Sequence, residues 1–209
     1  MAKILTPENP VMQFIGKIGY SIYLNLLWFI CSIPIVTIGA STTALFAATE
    51  RIAHDRYENI TGEFFRSFRI NFKQSTIVWL ILFTISSVMA ADAYVLKIMH
   101  GENMVWTLLT AIFLVAAAAL VVVLMYIFPL MAHFENTTFA MFKNSIMIGM
   151  RFLLCTVAMA LLYFGMGYLI IFVYTPLFLL GLGFCSLISS FLLSNILAMC
   201  ESPDSEAAI

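Results

Sequence analysis

The sequence predicts an all-α, polytopic helical membrane protein with about five transmembrane helices and an interfacial amphipathic helix, and three observations predict it. The chain is 63% hydrophobic and 10% charged, with a mean hydropathy of +1.02, whereas a soluble domain is about 45–50% apolar and 25% charged. The apolar residues gather into runs such as Ser75–Leu96, Val105–Ala132 and Phe152–Met199, which leave too little polar surface to cover a globule. The charges collect between the runs, chiefly over Ala47–Gln74.

Met1–Pro10 is polar and carries two prolines. The apolar stretch after it fits poorly the short core and small-residue cleavage site of a signal peptide, so the first hydrophobic segment is expected to stay attached. A helix needs about 20 residues to cross about 30 Å of hydrocarbon. By that measure the spans are Ile18–Ile38, Ser75–Leu96, Val105–Ala132, Phe152–Tyr174 and Pro176–Met199. The last two form a tight hairpin, because Pro176 disfavours helix at Thr175. Residues 1–200 then make one membrane-embedded domain, and the acidic tail 201–209 is expected to be disordered.

The connection Ala47–Gln74 holds Arg51, Arg56, Arg66, Arg69 and Lys73. Short connections rich in Lys and Arg stay cytoplasmic, which places this one inside together with Lys143 and Arg151. Phe64, Phe65, Phe68 and Phe72 fall at helical spacing beside a basic strip of Arg66, Arg69 and Lys73. This is the pattern of an interfacial helix. It reads either as a contact surface for anionic lipid or a partner, or as a surface helix leading into the second span.

Five crossings leave Lys3, Lys17 and Lys97 outside. A sixth, made by a turn at Pro34–Gly39 and a returning helix from Ser41 to about Asn59, leaves Lys97 alone outside, but that segment is short and charged at its end. Charge favours six and length favours five. Pro34 before Ser41-Thr42-Thr43 is echoed by Pro129 before Asn136-Thr137-Thr138, a degenerate repeat in which each proline closes a helix and each polar triplet supplies an N-cap. A parallel repeat supports five.

Cys31, Cys155, Cys185 and Cys200 lie within or at the end of apolar runs without metal or redox spacing, and read as reduced packing residues. Asp92 is the one acid well inside a span, close to Lys97 and the interface. The pairs His54/Asp55 and His133/Glu135 have no nucleophile to serve. Gly181-Leu182-Gly183 lacks the strand a phosphate loop requires, and Gly165, Gly167, Gly181 and Gly183 are read as sites of close helix approach. No enzyme, cofactor or metal is expected. A net charge of −1 gives no field for nucleic acid. One polar feature stands out. Asn25 lies in the first span, and Thr37, Gly39, Ser41, Thr42 and Thr43 follow Pro34. An interrupted helix at membrane depth either lines a pathway or is a helix stop followed by a capped helix.

Asn25-Leu26-Leu27-Trp28 followed by Ser32-Ile33-Pro34-Ile35-Val36-Thr37-Ile38-Gly39-Ala40-Ser41-Thr42-Thr43-Ala44-Leu45 resembles the signature of the YesL-like family of bacterial membrane proteins, a domain of unknown function. Phe68, Asn71-Phe72-Lys73-Gln74, Trp79 and Tyr126-Ile127-Phe128-Pro129 also resemble it. The resemblance implies a multi-pass protein of the bacterial cytoplasmic membrane. It also implies an association with carbohydrate uptake, as an accessory or permease-like component beside ATP-driven transporter subunits. It carries no catalytic residues. The alternative is a structural or assembly factor for other membrane proteins.

Overall fold

The computed structural model describes residues 10–55, 58–98, 104–173 and 178–200, with side chains described over 16–55, 58–98, 104–172 and 181–193. These residues are helical almost throughout. The elements are α1 (Pro10–Cys31), a 3-10 turn (Ile35–Thr37), α2 (Ile38–Ala53), α3 (Ile60–Ile98), α4 (Met104–His133), α5 (Thr138–Arg151), α6 (Leu153–Tyr168, continued as a π-helical turn Leu169–Val173) and α7 (Phe178–Cys200). Among the described residues three helical stretches are long and apolar enough to cross a membrane: Ile60–Ile98, Met104–His133 and Leu153–Phe172. Gly181–Leu193 forms a shorter apolar helix. The expected disordered tail and the expected turn at Thr175-Pro176 lie outside the described residues.

The organising element is α2. From Gly39 to Thr49 only Thr42 escapes full burial, because α2 runs back along α1 and is packed by α1, α3, α4 and α7. Small residues permit this. A Cβ at Gly39 would overlap the carbonyl oxygen of Ser75 and come within 2.6 Å of the Cβ of Trp79, so only glycine lets α2 and α3 approach so closely. Gly183 does the same between α7 and α1, where a Cβ would overlap the Ser21 carbonyl oxygen. Gly181 meets Ile170 and Met166 of α6, whereas Gly165 and Gly167 face open space and are not the contact points the sequence suggested.

Two apolar cores flank α2. Leu24, Trp28, Leu45, Ile52, Phe64 and Leu187 form one. Phe46, Val78, Leu82, Tyr126, Met141 and Met159 belong to the other.

Several expectations change. The helix expected over Ile18–Ile38 ends at Cys31, because Pro34 and the 3-10 turn reverse the chain, and it is not among the three stretches that qualify as spans. The polar connection shrinks to residues 54–59: Ala47, Ala48, Thr49 and Ile52 are buried in α2, and α3 begins at Ile60. The separate interfacial helix is instead the first half of one unbroken 39-residue helix. Phe64 is fully buried against α2 and offers no contact surface, while Phe65 and Phe72 are about 40% exposed. The connection Ala132–Arg151 contains a further helix, α5, capped by Thr137, whose side chain accepts from the Ala140 amide. Pro34 separates two helices but Pro129 lies inside α4, so the two prolines of the echo play different parts.

Candidate functional site

The polar residues around Pro34 are built into the protein's own hydrogen bonding. The last carbonyls of a helix lack intrahelical partners, and those of α1 find them nearby. The Ser32 amide donates to the oxygens of Trp28 and Phe29, and the Ile33 amide to Ile30. The Thr37 hydroxyl lies 2.6 Å from the oxygens of both Cys31 and Pro34. The indole Nε1 of Trp79, from α3, donates to Ile35 at 2.9 Å.

Ser41, Thr42 and Thr43 are not caps. They lie inside α2 and bond back to the carbonyls of Thr37, Ile38 and Gly39, the usual habit of hydroxyls in buried helices. Thr43 also bonds Ser75 of α3 at 2.9 Å, and Thr42 accepts from the Trp28 indole at 3.1 Å. Asn25 is buried in α1 and its Oδ1 accepts from the Gly183 amide of α7 at 2.9 Å. Asn25, Pro34, Thr37, Gly39, Ser41, Thr42 and Thr43 therefore hold four helices together, and the cluster is one connected structural feature.

Beside it lies a cavity of about 440 Å³, walled by residues of α1, α2, α4, α6 and α7 that include Trp28, Thr42, Phe46, Met125, Phe128 and Tyr163. Its walls are hydrocarbon. The polar groups that reach it are already engaged: Trp28 with Thr42, Tyr163 with Ser189, and Ser186 with the Gly183 carbonyl.

A second, polar cavity of about 200 Å³ sits at the other end of α2 among Glu50, Arg51, His54, Glu63 and His133. Here the end of α2 and the residues just after it are tied to neighbouring helices by polar contacts. His133 Nδ1 of α4 is 2.7 Å from Glu50, Arg51 is 3.0 Å from Glu63 of α3, and Lys17 of α1 is 2.9 Å from Asp55. Sequence reasoning grouped His133 with Glu135 and missed Glu50, because no spacing rule connects α2 to the end of α4.

The basic strip stays at the surface. Arg66 pairs with Glu63 at 2.8 Å, and Arg69 and Lys73 are exposed. Asp92 is exposed and takes no part in the ion pairs of the described residues. Cys31, Cys155 and Cys185 are free thiols.

These features describe a helical protein whose longest helices can cross a membrane, with a hydrogen-bonded reversal between α1 and α2. Residues 21–93 match the model of a family described as a protein of unknown function, DUF624. The match takes in the second half of α1, all of α2 and most of α3, and so the whole of the reversal. No curated protein and no solved structure matches the chain.

Proposed function

We propose that the chain is a multi-pass component of a bacterial cytoplasmic membrane, akin to the YesL-like family, and that it serves as a non-catalytic accessory to an ATP-driven carbohydrate importer. The carbohydrate class rests on the sequence resemblance. The accessory role rests on the interior. A sugar hydroxyl brought into the 440 Å³ cavity would leave water for hydrocarbon walls whose polar atoms are already bonded, at a cost of about 1–3 kcal/mol for each unpaired group. A permease pathway at this point would be a barrier to its own substrate. A cavity whose polar groups are bonded within the protein suits instead a body that packs beside other subunits.

The five apolar segments read from the sequence all remain in contact with the bilayer in this proposal, with the connection at 54–59 on the cytoplasmic side. The exposed strip Arg66, Arg69 and Lys73 favours a second reading, an assembly factor that meets acidic partners through α3.

Oligosaccharide uptake by a deletion strain, measured substrate by substrate, tests the first reading. Loss of one uptake activity, restored by the intact gene, supports it; normal uptake of every oligosaccharide contradicts it. Retained partner binding after reversal of Arg66 and Arg69 to Glu contradicts the second.

A further inference from the structure

We infer that α1 and α2 form a re-entrant hairpin, whose turn at Ser32–Thr37 ends among lipid acyl chains instead of emerging on the far side of the bilayer. The inference rests on the membrane reading above and fixes which surface of this chain meets hydrocarbon.

Register is the first argument. Arg51 of α2 meets Glu63, Thr43 meets Ser75, and Ile35 meets Trp79, so the hairpin lies along the first half of α3 and stops at Trp79. That half carries Arg66, Arg69 and Lys73 on its exposed face, and exposed cations mark the headgroup boundary. Trp79 is six residues beyond Lys73, about 9 Å deeper. From Trp79 to Ile98 the helix continues for about 28 Å, exposing Phe83, Ile85, Val88 and Val95. Most of the hydrocarbon layer therefore lies beyond the turn.

Surface chemistry is the second. Around the turn Ile30, Ile33 and Ile35 are at least 60% exposed. Tyr20 and Tyr23, further back on α1, are each 43% exposed and suit the interfacial belt.

The third is backbone saturation. An irregular segment at membrane depth persists only where its polar groups find partners, and the Thr37 hydroxyl and Trp79 indole supply them to Cys31, Pro34 and Ile35. A turn bathed in water would not need them. The Ser32 hydroxyl, which has no partner, is buried in the protein.

A re-entrant hairpin also resolves the conflict between charge and length. Lys17 bonds Asp55, so the start of α1 shares the side of the 54–59 connection, and α2 need not be long enough to cross.

Cysteine accessibility tests this. Single cysteines at Ile33 and Val36, in full-length protein with the native cysteines changed to alanine, are challenged with a membrane-impermeant maleimide in intact cells and in inverted vesicles. Glu58→Cys and Lys97→Cys serve as side markers. The inference requires labelling of Glu58→Cys from inside and Lys97→Cys from outside, with no labelling of Ile33→Cys or Val36→Cys from either. Labelling of the turn from outside makes the hairpin a full crossing, labelling from inside lifts it out of the bilayer, and either overturns the inference. Labelling of both markers from the same side overturns the membrane reading itself. Should the cysteine-free protein fail to fold, quenching of Trp79 in a protein with Trp28 and Trp106 changed to Phe decides. Bromines on the acyl chains must quench it more than bromines at the headgroup, and the reverse order contradicts the inference.

Discussion

Trp79 donates its indole N–H to the carbonyl oxygen of Ile35 at 2.9 Å, forty-four residues away in the chain, and so pins the longest helix to the interruption between α1 and α2. Trp79→Phe keeps an aromatic ring, though a smaller one, and leaves that carbonyl without its side-chain donor. Thermal unfolding in mild detergent should show a loss of about 1 kcal/mol. An unchanged midpoint would mean the bond contributes nothing.

Gly39 and Gly165 should respond oppositely to alanine. At Gly39 the added methyl meets backbone of α3, and forcing the helices apart should cost about 1–3 kcal/mol. At Gly165 nothing lies within 4 Å, and alanine should be neutral or stabilise the helix by up to about 1 kcal/mol. The two variants, compared in one unfolding assay, check the packing of α2 directly.

The Glu50–His133 pair joins α2 to α4 with both side chains about one-fifth exposed. A double-mutant cycle of Glu50→Gln and His133→Gln should give a coupling energy of about 0.5–1.5 kcal/mol. Additivity of the two changes would mean the contact carries no energy.

Asn25→Leu should destabilise by about 1–3 kcal/mol, since it removes the acceptor of the buried Gly183 amide. Asn25→Asp keeps an acceptor at that place and, with its buried carboxyl protonated at low pH, should restore part of the loss. Equal losses in both variants would assign Asn25 a role other than this bond.

Composition and run length made the helical class and the longest apolar segments legible, while the turn at Pro34 entered only as part of the six-crossing alternative. What the sequence concealed was depth. Residues 41–53 are rich in Ala and Thr and carry Glu50-Arg51 near their end, so the part from Ala47 onward reads as the edge of a polar connection. Yet that smallness lets α2 enter the centre, where hydroxyls bond backbone and Glu50 and Arg51 find partners on α4 and α3. The Phe and Arg spacing of 64–73 was read correctly as helical, but Phe64 faces α2. A local pattern names a helix and its faces, and only the neighbours decide which face is covered. Glu50 and His133 are far apart in sequence and no periodicity links them.

An accessory role requires that this protein works beside others. Tagged protein should be cross-linked in living cells, purified in mild detergent and examined by mass spectrometry. Recovery of carbohydrate-transporter subunits in a fixed ratio, reduced by charge reversal at exposed positions such as Arg69, is the predicted result. Recovery of the protein alone, from cells that are importing the sugar, would contradict it.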